Sequence, residues 1–201
     1  MKRIKAIFFD LGGVVLTQNT KARLQTISEV FSVSDKDLES VFKKYNNDWS
    51  TGKITVKIMA RKLKNRFKHK KPIPQLLKTW EETYKKKTRP NRELINFIDK
   101  LRKKYQLYLL TNTVDLHHNV NSKRDIFNHF DGVFASFIIG KRKPEQNFYT
   151  HVLDELKLKP GECMFIDDIN ENVEAAKKLG IKGIQFANNQ KLLKDFIILG
   201  I

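Results

Sequence analysis

Cysteine is nearly missing from this chain: Cys163 is the only one in 201 residues. One thiol excludes an intramolecular disulfide and a cysteine-built zinc cluster, which fits a reducing compartment and makes the cytoplasm the expected location. Glycine and proline are also sparse, at nine and five, which excludes a collagen-like or low-complexity chain. Long apolar runs are missing too. None approaches the roughly 20 residues that a membrane-spanning helix needs. The stretch before Asp10 holds only Ala6-Ile7-Phe8-Phe9 as an uninterrupted apolar run, too short for the core of a signal peptide. The expectation is a soluble protein with no membrane partner.

Acidic residues are outnumbered, with 22 Asp and Glu against 39 Lys and Arg and a net charge of +17. The imbalance is uneven. Between Lys53 and Arg89 there are 14 basic residues against Glu81 and Glu82 alone, so 14 minus 2 leaves +12. Such a segment is suited to attract nucleic acid, an anionic membrane surface or phosphorylated substrates. No stacking pattern of an RNA-binding module accompanies the charge. A solvated, lysine-rich helical surface is therefore favoured over a nucleic-acid site. Nothing in the sequence speaks to the oligomeric state.

What is present is the alternation of a βαβ chain. Short apolar runs end on polar residues: Ala6 to Phe9 before Asp10, Leu107 to Leu110 before Thr111, and Met164 to Ile166 before Asp167. These read as buried parallel strands, with two more near Val133 to Ala135 and Gly183 to Phe186. After Pro144, the apolar residues Phe148, Tyr149, Val152, Leu153 and Leu156 share one helical face. Asn170 to Gly180 predicts a helix with Asn170 suited to its N-cap, acids early, lysines late and Gly180 as a stop. Residues 16–89 carry helical spacing without a convincing strand, and break at Gly52 and at Pro72 and Pro74. The fold expected is a three-layer, Rossmann-like α/β domain formed by residues 1–15 and 90–201. A small all-helical cap, 16–89, is inserted after the first strand. Trp49 and Trp80 fall in that cap and are expected to pack its core.

In an open parallel sheet, ligands bind beyond the carboxyl ends of the strands. The strand assignments alone put Asp10, Thr111, Asp167 and Asp168 there. Three carboxylates crowded together repel unless a cation joins them, and hard oxygen ligands suit Mg²⁺. Lys143, in the loop Gly140-Lys141-Arg142-Lys143-Pro144, offers a fixed positive charge beside them.

The four segments resemble, in order, the motifs of the haloacid dehalogenase superfamily. Phe9-Asp10-Leu11-Gly12-Gly13-Val14-Val15 is similar to the first, Leu110-Thr111-Asn112 to the second and Lys143-Pro144 to the third. Phe165-Ile166-Asp167-Asp168 with Asn172 is similar to the fourth. Within the superfamily the chain resembles the α-D-glucose-1-phosphate phosphatase-like group. Thr111-Asn112-Thr113 with His117 carries that likeness, together with Gly140 to Glu145 leading to Tyr149. The resemblance implies an Mg²⁺-dependent phosphatase acting on a small phosphorylated substrate, such as a sugar phosphate. Asp10 is then the nucleophile that forms an aspartyl-phosphate. Thr111, Asn112 and the backbone amides around Leu11 and Gly12 hold the phosphate, and Lys143 neutralises it. Asp10, the Gly12 carbonyl and Asp168 bind the metal, with Asp167 behind these ligands or joined to the ion through water.

One departure stands out. Phosphatases of the superfamily usually carry a second Asp two positions after the nucleophile, as general acid and base, and this chain has Gly12 there. The glucose-1-phosphatase-like group shares that glycine. The proton then falls to substrate, water or a nearby side chain such as His117, although His117 and His118 read more simply as surface residues. Asn172 reads equally well as a site residue or a solvent-facing one. Two rivals follow from the same residues. A haloacid dehalogenase shares the nucleophile and needs no metal, an option the pair Asp167-Asp168 argues against. A catalytically weak regulatory protein would use the basic cap to hold an anionic partner.

Overall fold

The computed structural model describes residues 3–17 and 20–201. Five strands, β1 (Ala6–Phe9), β2 (Gln106–Thr111), β3 (Gly132–Ala135), β4 (Cys163–Asp167) and β5 (Lys182–Gln185), run parallel in the order β3-β2-β1-β4-β5. Among the described residues the α-helices are α1 (Thr20–Phe31), α2 (Asp35–Ser50), α3 (Val56–Arg66), α4 (Ile73–Lys87) and α5 (Arg92–Leu101). They continue with α6 (Asp115–Ser122), α7 (Ser136–Ile139), α8 (Gln146–Leu156), α9 (Asn170–Lys178) and α10 (Asn189–Ile198).

Strand β1 and the interiors of β2 and β4 are apolar because helices cover both faces of the sheet there. Ile7, Phe9, Leu107, Leu109, Met164 and Ile166 point into one core, which Leu94, Ile95 and Ile98 of α5 and Leu192 and Phe196 of α10 complete. Their neighbours Ala6, Phe8, Tyr108, Leu110, Cys163 and Phe165 point into the other, filled by α8 and by Ala176 of α9. Strand β1 is central. It pairs with β2 through Phe9 opposite Leu109 and with β4 through Phe9 opposite Ile166. The chain runs from β1 to β2 and β3 on one side, then returns to β4 and β5 on the other. The carboxyl ends of β1, β2 and β4 therefore open at the topological switch point.

Between β1 and β2, helices α1 to α4 form a separate apolar cluster that includes Phe31, Phe42, Trp49, Met59, Leu63 and Trp80. The tryptophans are 1% and 0% exposed and meet edge-on at 5.5 Å, so both pack the cap's core as expected. The cluster does not stop at the cap. Val114, Leu116 and Val120, in and beside α6, belong to it. The connections in and out of the cap run side by side: Thr17 N–H bonds to the Arg89 carbonyl at 2.9 Å and Asn91 N–H to the Val15 carbonyl at 2.8 Å.

Two local expectations shift. Strand β5 begins and ends one residue earlier than Gly183 to Phe186. Asn170 is the first helical residue of α9, and Ile169 is the N-cap without a side-chain capping bond. The carboxylate of Asp167 serves that end instead, accepting from Ile169 N–H at 2.8 Å.

Candidate active site

Lys143 organises the carboxyl edge of the sheet. Its side chain is fully buried, and Nζ donates to Asp10 Oδ1 at 2.6 Å, Asp167 Oδ2 at 2.6 Å and the Leu110 carbonyl at 2.7 Å. An ammonium has three donors, so all are used. Asn112 fixes the lysine from behind: its Oδ1 accepts from Lys143 N–H at 2.9 Å and its Nδ2 donates to the Lys143 carbonyl at 2.8 Å. The amide of Asn112 is thereby committed to the loop. Substrate contact, the sequence expectation for this residue, is left to its other atoms.

Asp167 is equally committed. Oδ1 takes the Ile169 N–H, while Oδ2 takes Lys143 and, at 3.0 Å, Asn172 Nδ2. Asn172 is buried rather than solvent-facing, and its carbonyl accepts from Tyr149 O–H at 2.8 Å. Asp168 differs. Its Oδ1 is buried and has no hydrogen-bond partner among the described residues. Asp10, Asp167 and Asp168 each bring a carboxylate oxygen within 4.8 Å of the others.

The electrostatics follow from burial. Asp10 is pushed up to about 7, first by desolvation and then by Asp167 and Asp168, against the opposing pull of Lys143. Asp168 is raised by burial and by Asp167. Burial alone would lower Lys143, but Asp10 and Asp167 outweigh it and hold the ammonium charged. Two carboxylates raised toward neutrality and one orphaned oxygen describe a site short of positive charge. The donor set is all oxygen and suits a small hard dication. Gly13 shapes this cradle: it sits at φ +93°, and a Cβ there would lie 2.3 Å from Asp168 Oδ2. Only glycine lets the loop pass so close to that carboxylate.

Above the carboxylates lies a cleft of about 230 Å³, lined on the core side by Asp10, Leu11, Gly12, Thr111, Asn112 and Lys143 among others. Gly13 N–H is bonded to the Leu16 carbonyl at 2.8 Å. The N–H groups of Leu11 and Gly12 take no hydrogen bond among the described residues. The cap lines the opposite wall with Asn46, Ser50, Tyr84 and Thr88. These four, and Arg142, were not singled out by sequence reasoning. Only Arg142, adjacent to Lys143, carried a linear signal, because the facing of cap residues is set by packing across the cleft. His117 also lines the cleft. The surface reading of both histidines is corrected: His117 is 3% exposed and stacks on Tyr84 at 4.0 Å, and His118 lies between Phe127 and Phe137. The cap covers the face of α6 that would otherwise meet water.

With this geometry in hand, the likeness to known proteins is specific. Residues 4–180 match the haloacid dehalogenase-like hydrolases. A sesquiterpene phosphatase of Aspergillus oryzae is 29% identical over 188 residues, covering 92% of this chain and 91% of its own length. A chloroplast flavin mononucleotide hydrolase of Arabidopsis thaliana is 35% identical over 97 residues, which are 48% of this chain and 40% of that protein. This chain thus spans less than half of that relative. The solved structure of a HAD family enzyme of Bacteroides thetaiotaomicron, in complex with magnesium and inorganic phosphate, has the same fold. Its TM-score is 0.80 at 22% identity, over 94% of this chain and 98% of that one. Fold, motif order and family match agree: the chain belongs to the haloacid dehalogenase-like hydrolases.

Proposed function

We propose that the chain is an Mg²⁺-dependent phosphatase that hydrolyses small phosphomonoesters, sugar phosphates among them, through an aspartyl-phosphate on Asp10. The observation that carries this reading is the arrangement of Asp10, Asp167 and Asp168 around buried Lys143 at the base of a cleft. Asp10 Oδ attacks phosphorus, the ester P–O bond breaks, and the leaving oxygen takes a proton as the alcohol departs. Water then attacks the same phosphorus, releasing inorganic phosphate and restoring the carboxylate. Thr111 and the N–H groups of Leu11 and Gly12 hold the phosphoryl oxygens, and Lys143 offsets their charge. Asp10, Asp168 and the Gly12 carbonyl would hold Mg²⁺, with Asp167 behind them. Bound there, the ion supplies the positive charge that lets a phosphate approach three carboxylates.

Gly12 cannot move a proton. His117 lines the cleft and is assigned that task, as acid to the leaving oxygen and base to the water. Loss of such a group costs about 10² to 10⁴ in rate. His117→Ala is expected to lower kcat by that order and to remove one limb of the pH profile; an unchanged profile releases His117 from the role.

The test of the main reading is a panel of phosphomonoesters assayed with Mg²⁺ and with EDTA, beside Asp10→Asn. Turnover should require the metal and fall by about 10⁴ or more in the variant. Turnover of a 2-haloacid in EDTA would instead assign a dehalogenase, against which the orphaned oxygen of Asp168 stands.

A further inference from the structure

We propose that Asn46, Ser50 and Arg142 form the leaving-group subsite, and that it selects a phosphomonoester whose alcohol carries further hydroxyl groups over an apolar one. The proposal rests on the phosphatase reading and goes beyond it to the class of alcohol released.

Asn46 and Ser50 are four residues apart on α2, so they share a helix face, and both line the cleft that reaches Asp10. Asn46 Oδ1 is buried there and has no hydrogen-bond partner among the described residues. Turning the amide exchanges oxygen for nitrogen. In either orientation, the side chain keeps a donor and an acceptor group. A buried polar group without a partner is unfavourable, and a ligand that supplies the partner recovers the loss.

Arg142 enters from the core side, in the loop that holds Lys143. Its Nη1 donates to Ser50 Oγ at 3.0 Å, across the gap between core and cap. No carboxylate lies within ion-pair distance of it among the described residues. Glu145 and Glu171 are the acids that favour its charge, and burial opposes them. A guanidinium has five N–H donors, so most of Arg142's remain for a ligand. In the proposed mechanism Lys143 offsets the charge of the phosphoryl group and the N–H groups of Leu11 and Gly12 hold its oxygens, whereas Arg142 is turned toward the cap.

The combination selects by chemistry. A hydroxyl accepts from the guanidinium and donates to the carboxamide, satisfying both. An alkyl group leaves the buried Asn46 Oδ1 unpaired and gives the remaining guanidinium donors no acceptor, the kind of mismatch by which sites discriminate strongly. A carboxylate accepts only, and so leaves the acceptor of Asn46 unmatched. Helices α2 and α4 and the residue after α4 line the cleft with Asn46, Ser50, Tyr84 and Thr88, each carrying a polar group, while Leu16 and Ile169 are apolar residues of the lining.

Three substrates of one chain length separate these cases: ribitol 5-phosphate, n-pentyl phosphate and 5-phosphonooxypentanoate, each assayed with Mg²⁺. The wild type should favour ribitol 5-phosphate over pentyl phosphate by about 100-fold in kcat/KM. Asn46→Leu and Arg142→Met should each cut that ratio about tenfold. Arg142→Lys, which keeps the charge and loses the fork, should fall between and reads the same ratio should Asn46→Leu fail to fold. A wild-type ratio near one, a ratio unmoved in folded variants, or preference for the carboxylate overturns the subsite while leaving the phosphatase intact. No turnover of any of the three, with none across the wider panel, removes the phosphatase reading and this inference with it.

Discussion

The proposed mechanism requires Asp10 to be ionised when it attacks phosphorus, yet its surroundings favour the neutral acid. Desolvation is the largest influence, and the carboxyl group rests at about 7 against an ordinary 3.8. Between those values the metal-free folded state holds a proton that the unfolded state has lost. Stability linked to this group therefore falls as pH rises from about 4 to about 7. Asp168 is raised as well and adds in the same direction. Asp10→Asn removes the main titrating carboxyl at almost constant shape. In EDTA, the urea midpoint of the wild type should drop between pH 5 and pH 7.5, while that of Asp10→Asn stays flatter and ends higher. If Mg²⁺ binds the folded carboxylates as proposed, adding it at pH 7.5 should reverse the order. Coincident midpoints at both pH values would mean that Lys143 alone balances the site. Asp10 and Asp168 were legible in the sequence because each directly follows a strand, and a strand end fixes where the next side chain goes. The amides of Asn112 and Asn172 were less legible: one clamps the Lys143 backbone, the other holds Asp167. Their partners lie 31 and five residues away, and pairing at such separations is set by the fold.

At the scale of elements, the cap's stability turns on α4 and its contacts. Trp80 of α4 is fully buried and meets Phe31, Trp49 and His117 edge-on. Truncation leaves a large cavity, and Trp80→Ala should cost about 3 to 5 kcal/mol in urea unfolding. Trp80→Phe should cost far less than its lost area suggests. The indole Nε1 is buried without a hydrogen-bond partner among the described residues, and Phe removes that orphaned donor while keeping a ring. A cost for Trp80→Phe equal to that of Trp80→Ala would show that the indole N–H is bonded after all. The apolar runs of β1, β2 and β4 predicted those strands to within a residue, since both faces are covered there and the pattern needs no phase. Helix α6 was harder to read. Seen alone it carries polar residues, Asp115, His117, His118, Asn119 and Asn121. Its Leu116 and Val120 join the cap's apolar cluster, so the side of α6 that meets the cap depends on an element inserted far upstream.

For the whole molecule, the net charge of +17 has two consequences of opposite sign. From Ile54 to Trp80 there is no carboxylate, and nine bases, among them exposed Lys57, Arg61, Lys68 and Lys71, share the cap surface. These groups repel one another when folding concentrates them. The ion pairs that counter them, such as Lys85–Glu81 and Lys87–Glu29, are partly exposed and individually weak. Raising ionic strength from about 20 mM to about 0.5 M shortens the screening length from about 20 Å to about 4 Å. Repulsion across the cap spans more than 4 Å and is quenched, whereas contacts near 3 Å are screened less. Chemical stability in urea should therefore rise with NaCl. If the chain acts on phosphomonoesters as proposed, capture of substrate should weaken over the same range, because salt screens the basic field around the cleft. The KM for a phosphomonoester should climb while kcat holds, since Lys143 and the carboxylates act at contact distance inside the site. A fall in stability with salt would mean that the surface pairs outweigh the repulsion. An unchanged KM would mean that the charge of the cap plays no part in delivering substrate to Asp10.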